Sequence, residues 1–140
     1  MATADNNSAG RAPEPVILKT TRTRGQLEDA VSKTVVRFER EYAGKGPVEA
    51  RTYLLDDMVV VRLQGVFTVM EKTLIENSEG GWNTYLVKQL RTEWIEKIRE
   101  KLLAEIAELV GTAIVSLHED VSTQTGESVL AFVLAEKRSW

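Results

Sequence analysis

The sequence has no cysteine and only one histidine, His118, among its 140 residues. Without cysteine there can be no disulfide framework, no thiol nucleophile and no thiolate metal ligand. Any metal site would have to consist mostly of carboxylates, and a Ser-His-Asp triad could use only His118. We therefore predict no metal and no cofactor.

Long hydrophobic runs are also missing, since no apolar stretch approaches the roughly 18 to 20 residues that a membrane-spanning helix needs. The polar segment Met1–Gly10 lacks the apolar core of a secretory signal. These features predict a soluble cytoplasmic protein with no direct membrane insertion. A net charge of −3 argues against nucleic acid as a partner.

What is present is ordinary globular composition, with 43% hydrophobic and 28% charged residues. Residues 1–22 combine Asn, Ser, Gly and Pro with little periodicity, which predicts a disordered or extended N-terminal arm. Residues 23–140 have the length of a single domain.

Three helices are predicted from periodicity and capping patterns. Apolar residues recur at steps of three and four from Thr23 to the glycine at Gly44, with Gln26 completing a capping box and Glu39 on the polar face. A second capping box, Thr68-Val69-Met70-Glu71, opens a short helix that ends near residue 76.

The third predicted helix is the longest. At about 1.5 Å per residue, roughly 27 residues span about 40 Å, so we expect one end to project or to support a dimer. Arg91 falls on its predicted polar face, whereas Trp82 and Trp94 are expected to be core or interface anchors. The predicted apolar face consists of Trp82, Tyr85, Leu86, Leu90, Trp94, Ile98, Leu102, Ile106 and Leu109.

Two β-hairpins flank the last two helices. The first pairs residues 49–55 with 58–64, and the second pairs a strand from Ile114 with one from Val129 to Leu134. The expected fold is therefore α+β, in the order α-ββ-αα-ββ, with a mainly antiparallel four-stranded sheet and helices packed on one face. The second and fourth strands are largely apolar on both sides, so we predict that both sheet faces are covered, with another copy of the chain as one candidate. This predicts a homodimer.

Side chains that could bind a small ligand or an ion are grouped around the second hairpin. His118 and Asp120 share a strand face, and the loop that follows is rich in hydroxyls. Each of these candidates also has a purely structural explanation: His118 as a hydrogen-bonded structural residue, the two loops as hairpin turns, and Arg62 as part of a cross-strand pair. The candidate ligand-binding residues are His118, Asp120, Ser122, Thr123, Thr125, Glu127, Asp56, Asp57 and Arg62. No catalytic residue is predicted.

Three segments in order carry a family resemblance: residues 44–47 (GKGP), 51–66 (RTYLLDDMVVVRLQGV) and 116–127 (SLHEDVSTQTGE). From about Gly25 to Leu134, the chain resembles a bacterial domain family named for the C subunit of a sodium-translocating, membrane-potential-generating system, the MpsC family. The resemblance implies association with a membrane system linked to cation movement and inorganic-carbon uptake, in which other subunits span the bilayer.

Because the resemblance supplies no catalytic motif, it implies a non-enzymatic accessory or regulatory protein with membrane transport subunits as possible partners. The alternative is a homodimeric module that senses a small ligand or an ion, with its site in the loop from His118 to Glu127. An enzyme with His118 as general base is a third, less favoured reading.

Overall fold

The computed structural model describes residues 22–140, so residues 1–21 of the predicted arm lie outside the described part of the chain. Three helices and four strands follow one another in the predicted order α-ββ-αα-ββ, which confirms the α+β class. In chain order they are α1 (Arg24–Ala43), β1 (Glu49–Leu54), β2 (Met58–Gln64), α2 (Val69–Glu76), α3 (Trp82–Val110), β3 (Ile114–Ser122) and β4 (Glu127–Leu134).

Both predicted capping boxes are confirmed. The Thr23 hydroxyl accepts a bond from the Gln26 amide at 3.1 Å, and the Gln26 side chain accepts one from the Thr23 amide at 2.9 Å. Thr68 and Glu71 repeat the arrangement at the start of α2. These side chains satisfy amide groups that have no intrahelical partner, which fixes where each helix begins.

The four strands form one antiparallel sheet in the order β1-β2-β4-β3. Met58 pairs with Val133 and Leu63 pairs with Ser128, so β2 and β4 lie side by side at the centre. This register places the β1–β2 turn and the β3–β4 turn at opposite ends of the sheet.

Helices α1 and α3 pack on one face of the sheet. Val59, Val61 and Leu63 of β2 point into that face and are fully buried, together with Leu130 and Phe132 of β4. The hydrophobic core therefore lies between the sheet and the two helices, as predicted.

The second face of the sheet, called the open face below, was expected to be covered as well. None of the elements in residues 22–140 packs over it, and its strand residues are half-buried or exposed. Its four rows run across β1, β2, β4 and β3. Counted from the β1–β2 turn, the first row contains Leu55, Met58, Val133 and Ser116, and the second contains Tyr53, Val60, Ala131 and His118. The third row contains Arg51, Arg62, Val129 and Asp120, and the fourth contains Glu49, Gln64, Glu127 and Ser122.

The predicted apolar face of α3 is correct in its C-terminal part and wrong near its N-terminus. Ile98, Leu102 and Ile106 are buried, whereas Trp82 and Leu90 are 61% and 55% exposed. The N-terminal part of α3 instead turns Val87, Arg91 and Ile95 towards the core. These three residues share one helix face because each lies four residues from the next. Placing Arg91 and Glu39 on polar faces was therefore wrong, because their exposed fractions are 4% and 1%.

Within residues 22–140, no helix has both the length and the apolar character needed to cross a bilayer.

Candidate functional site

His118 and Asp120 share the open face of the sheet, as their spacing predicts. Both are exposed. The His118 ring lies 3.2 Å from the Ser116 hydroxyl, and Asp120 accepts a bond from Lys88 Nζ at 2.9 Å. That bond holds the pKa of Asp120 below its usual value. Each side chain thus has a separate partner in the domain.

The loop after β3 is built as a hairpin turn. The Ser122 hydroxyl accepts a bond from the Thr125 amide at 3.2 Å, and the Thr125 hydroxyl accepts one from the Glu127 amide at 3.3 Å. Gly126 adopts φ +75, and its amide donates to the Ser122 carbonyl. Two hydroxyls of the candidate site therefore support the turn itself, while Thr123 is half-buried beside them.

The remaining candidates are divided between the two ends of the sheet. Arg62 forms an ion pair with Glu127 across β2 and β4, so these two residues are brought together. Asp56 and Asp57 form the turn at the opposite end, where their carbonyls accept bonds from the backbone amides of Arg138 and Leu134. The structure does not bring Asp56 and Asp57 to the loop from His118 to Glu127.

A buried charged cluster, which the sequence reading missed, lies between α1, α3 and the sheet. Both Arg91 terminal nitrogens donate to Glu39, at 3.2 and 3.0 Å, and one of them is 3.5 Å from Glu119. The side chains of Arg91, Glu39 and Glu119 are each at most 4% exposed. Ser128 completes the cluster, because its hydroxyl donates to Glu119 at 2.7 Å. Such a pairing satisfies charges that would be costly to bury alone.

The cluster holds more acid than base. Glu71, which caps α2, is also buried and acts electrostatically on both Glu39 and Arg91. Burial raises the pKa of Glu39, and the attraction of Arg91 opposes this shift without cancelling it. For Arg91, burial acts to lower the pKa, but the neighbouring carboxylates outweigh it and the pKa is raised. The single guanidinium is therefore fixed as a cation among carboxyl groups.

A cavity of about 210 Å³ opens beside this cluster, between the end of α1, the start of α2 and α3. Arg91 also lies over the Trp94 ring, with its Cζ 4.8 Å from the ring centroid. Arg91 Nε is buried and has no hydrogen-bond partner within residues 22–140. The lining is mostly apolar and comprises Tyr42, Ala43, Val66, Thr68, Met70, Glu71, Leu90, Arg91 and Trp94. A ligand there would meet a mostly apolar wall that includes the Arg91 side chain.

An exposed apolar stripe continues from the cavity along α3. Trp82, Leu86 and Leu90 follow one another at four-residue spacing, and the Tyr85 ring stacks on Trp82 with centroids 5.7 Å apart. Met70 of α2 lies beside Leu90 at the cavity and is 68% exposed. We call these five residues the outer stripe. Contiguous exposed apolar surface of this kind is typical of protein-binding sites.

The match to known proteins covers most of the described chain. The family model described as "Na+-translocating membrane potential-generating system (MpsC)" matches residues 23–136. The chain belongs to the MpsC family. This confirms the family resemblance, and the matched range contains all three segments that carry it.

Two relatives from Bacillus subtilis (strain 168) are similar over most of their length. "Uncharacterized protein YbcI" is 34% identical over 113 residues, which cover 81% of this chain and 89% of YbcI. "Uncharacterized protein YrhF" is 28% identical over 102 residues, covering 72% of this chain and 81% of YrhF. No solved structure matches the chain.

The MpsC-family chain shows no metal-binding arrangement in its described part: within residues 22–140, no three His, Cys, Asp or Glu side chains are grouped to hold an ion. The buried cluster did leave a signal in the sequence. Arg91 lies midway between two apolar residues of α3, Val87 and Ile95, at four-residue spacing. Glu39 follows two apolar residues of α1, Val31 and Val35, at the same spacing. A lone cation and a lone anion at apolar positions of two neighbouring helices indicate a buried ion pair.

Proposed function

We propose that this MpsC-family chain is a non-enzymatic, cytoplasmic accessory protein of a membrane system linked to ion or inorganic-carbon transport. It acts by binding an amphipathic helix of a partner subunit along the outer stripe. The family description, with its membrane-potential-generating system, supports the association, and the outer stripe supports the binding mode.

The observation that carries the proposal is the exposure of large apolar side chains on α3. Trp82 is 61% exposed and Tyr85 is 54% exposed, although both are residue types that dominate the binding energy of protein interfaces. The C-terminal part of the same helix buries its apolar residues in the core. A stripe at i, i+4 and i+8 is complementary to the apolar face of another helix.

The cavity supplies a second element of this interface. Its volume of about 210 Å³ accommodates one large apolar side chain of the partner, and Leu90 and Met70 belong to both the cavity wall and the outer stripe. A partner helix along the stripe would thus insert one anchor side chain beside Arg91. Buried anchors of this type account for most of the affinity in many complexes.

The test is affinity purification of the tagged full chain from its native host, with identification of co-purifying membrane proteins. We expect recovery of membrane transport subunits with the wild-type chain, and a loss of at least about tenfold with the double variant Trp82→Ala/Tyr85→Ala. Val115→Ser is the matched control, because Val115 is 64% exposed on β3, away from the stripe. Equal recovery with the double variant and the control would contradict the proposal.

One observation favours a second candidate, the small-ligand or ion sensor, although at the cavity and not at the loop from His118 to Glu127. Buried polar groups are almost always hydrogen-bonded, so the unpartnered Arg91 Nε favours an acceptor group on a bound molecule. Thermal unfolding in the presence of bicarbonate or nucleotides, whose oxygens can accept this bond, tests this reading. A stabilisation abolished by Leu90→Trp, which fills the cavity mouth, and retained in His118→Ala would support it.

A further inference from the structure

We propose that the open face of the sheet binds the open face of a second copy of this chain, around a two-fold axis that runs parallel to the strands between β2 and β4. The inference is independent of the outer stripe, because it concerns the opposite side of the molecule.

The composition of the open face follows the anatomy of a protein interface. Its centre is apolar, with Met58 and Val60 on β2 and Val129, Ala131 and Val133 on β4. Polar and charged side chains surround it: Arg51 lies on β1, His118 and Asp120 lie on β3, and Arg62, Gln64 and Glu127 lie at the end of β2 and β4 next to the β3–β4 turn. Interfaces combine an apolar centre with a polar rim in this way. A solvated sheet face would instead carry polar residues along the full length of its central strands.

The register of the sheet determines which contacts a second copy would make. Two sheets that face each other can be related by a two-fold axis lying between them, and such an interface is isologous. An axis parallel to the strands brings β1 of one copy opposite β3 of the other, within the same row of residues. It likewise brings β2 opposite β4.

Charge complementarity selects this axis. Arg51 and Asp120 occupy the two ends of one row, so each Arg51 faces Asp120 of the second copy, and the pair occurs twice. In the neighbouring row Tyr53 faces His118, and Val60 faces Ala131 at the centre. Asp120 can accept this second cation, because its side chain is 82% exposed despite the bond from Lys88.

The perpendicular axis in the same plane gives a poorer match. It reverses the rows, so that Met58 meets Gln64 and Val133 meets Glu127 of the second copy. Arg62 faces an apolar residue with either axis, Val129 or Val60, but only the perpendicular axis places the Glu127 carboxylate against one, whereas the parallel axis sets it opposite Gln64. Replacing the water around a charged group with an apolar side chain is unfavourable, so the parallel axis is the consistent arrangement.

The experiment uses two charge-reversal variants of the full chain, Arg51→Asp and Asp120→Arg. Each variant alone places like charges opposite each other twice, so we expect its dimer to dissociate at least about tenfold more readily than the wild type. Mixing the two variants creates a heterodimer in which both pairs are again of opposite charge. We expect the mixture to recover wild-type affinity, measured by sedimentation equilibrium and by retention of the untagged variant on the tagged one.

Several results would overturn the proposal. A wild-type mass that stays at the 15.7 kDa monomer at micromolar concentration removes the interface. A mixture that dissociates as readily as each variant alone removes the Arg51–Asp120 contact and its axis. Dissociation by Trp82→Ser with no effect of either charge reversal would place the second copy on the outer stripe.

A central substitution keeps the test decisive if either charge reversal impairs folding. Val60→Lys introduces a charge at the centre of the open face, where the side chain is only half-buried and the monomer can accommodate it. We expect a folded monomer, verified by circular dichroism. Val115→Lys is the control, since Val115 is exposed near the start of β3 and lies outside the four rows of the open face. It should leave the dimer intact, and dimers of equal stability from both variants would contradict the proposal.

Discussion

The two parts of α3 are held in the fold by different interactions. From Ile95 to Val110, the helix buries an apolar residue at every third or fourth position and packs on the sheet. From Trp82 to Leu90 most of its large apolar side chains are exposed, and the group that faces inward at the boundary is the Arg91 guanidinium. The N-terminal part of α3 is therefore held in the fold by a buried charged group, and the C-terminal part by apolar packing.

The difference has an energetic meaning. A fully buried Leu or Ile contributes roughly 1.5 to 3 kcal/mol by leaving water, whatever its exact neighbours are. A buried ion pair contributes little net stability compared with a hydrophobic substitute, but it strongly penalises any arrangement that separates the charges. Arg91 and Glu39 therefore fix the rotation of α3 relative to α1, which keeps the outer stripe turned towards solvent.

The largest expected effect comes from removing the charged anchor. Arg91→Ala leaves Glu39, Glu71 and Glu119 without their shared cation, so we expect a loss of roughly 3 to 5 kcal/mol in the free energy of unfolding, measured by urea denaturation. Lowering the pH should restore part of this loss by protonating the carboxyl groups.

Arg37→Ala is the control for Arg91→Ala, because Arg37 pairs with Glu41 and Glu105 at a surface position with 43% exposure. Exposed pairs contribute about 0 to 1 kcal/mol. Similar losses for the two variants would mean that the buried cluster does not anchor the helix.

A smaller and pH-dependent effect is expected for Glu39→Gln. Burial raises the pKa of Glu39 above its unfolded value, so the folded state binds this proton more tightly. The stabilisation linked to that proton is complete below the unfolded pKa and is lost as the pH rises through the folded pKa. The amide introduced by Glu39→Gln keeps an acceptor oxygen for Arg91 but cannot titrate.

The measurement is the unfolding free energy of the wild type and of Glu39→Gln from about pH 4 upwards to about pH 7, a range that begins near the ordinary glutamate pKa. We expect the stability of the wild type relative to the variant to fall across this range. A relative stability that increases with pH would show that attraction to Arg91 outweighs burial and that the pKa of Glu39 is lowered.

Some elements of the fold can be predicted from the sequence alone, and others cannot. Both capping boxes and both hairpins were predicted correctly, because local side-chain bonds and strand alternation fix them within a few residues of chain. The family match spans residues 23–136 and so includes both hairpins. Helix caps and hairpins depend on residues close together in the sequence, so they can be predicted without knowing which other elements pack on them.

The side of α3 that faces the core could not be derived in the same way. Trp82 and Leu90 have the periodicity of a buried face, and only contact with α1 and β3 decides that Arg91 occupies it. The open face gives a related lesson. An apolar pattern on both sides of β2 predicts coverage but does not say whether the covering element belongs to the same chain.

The smallest expected effect tests the two parts of α3 directly. Leu90→Ala removes a side chain that is 55% exposed, so we expect the unfolding free energy to change by about 0.5 kcal/mol or less. Ile106→Ala is the matched comparison, because Ile106 is fully buried on the same helix and should cost roughly 2 to 5 kcal/mol. Both substitutions leave an alanine, the best helix former, so helix propensity does not explain a difference between them. Urea denaturation at one pH gives both values. A Leu90→Ala loss as large as that of Ile106→Ala would mean that the outer stripe is already covered in the isolated protein, and that it is not available to a partner helix.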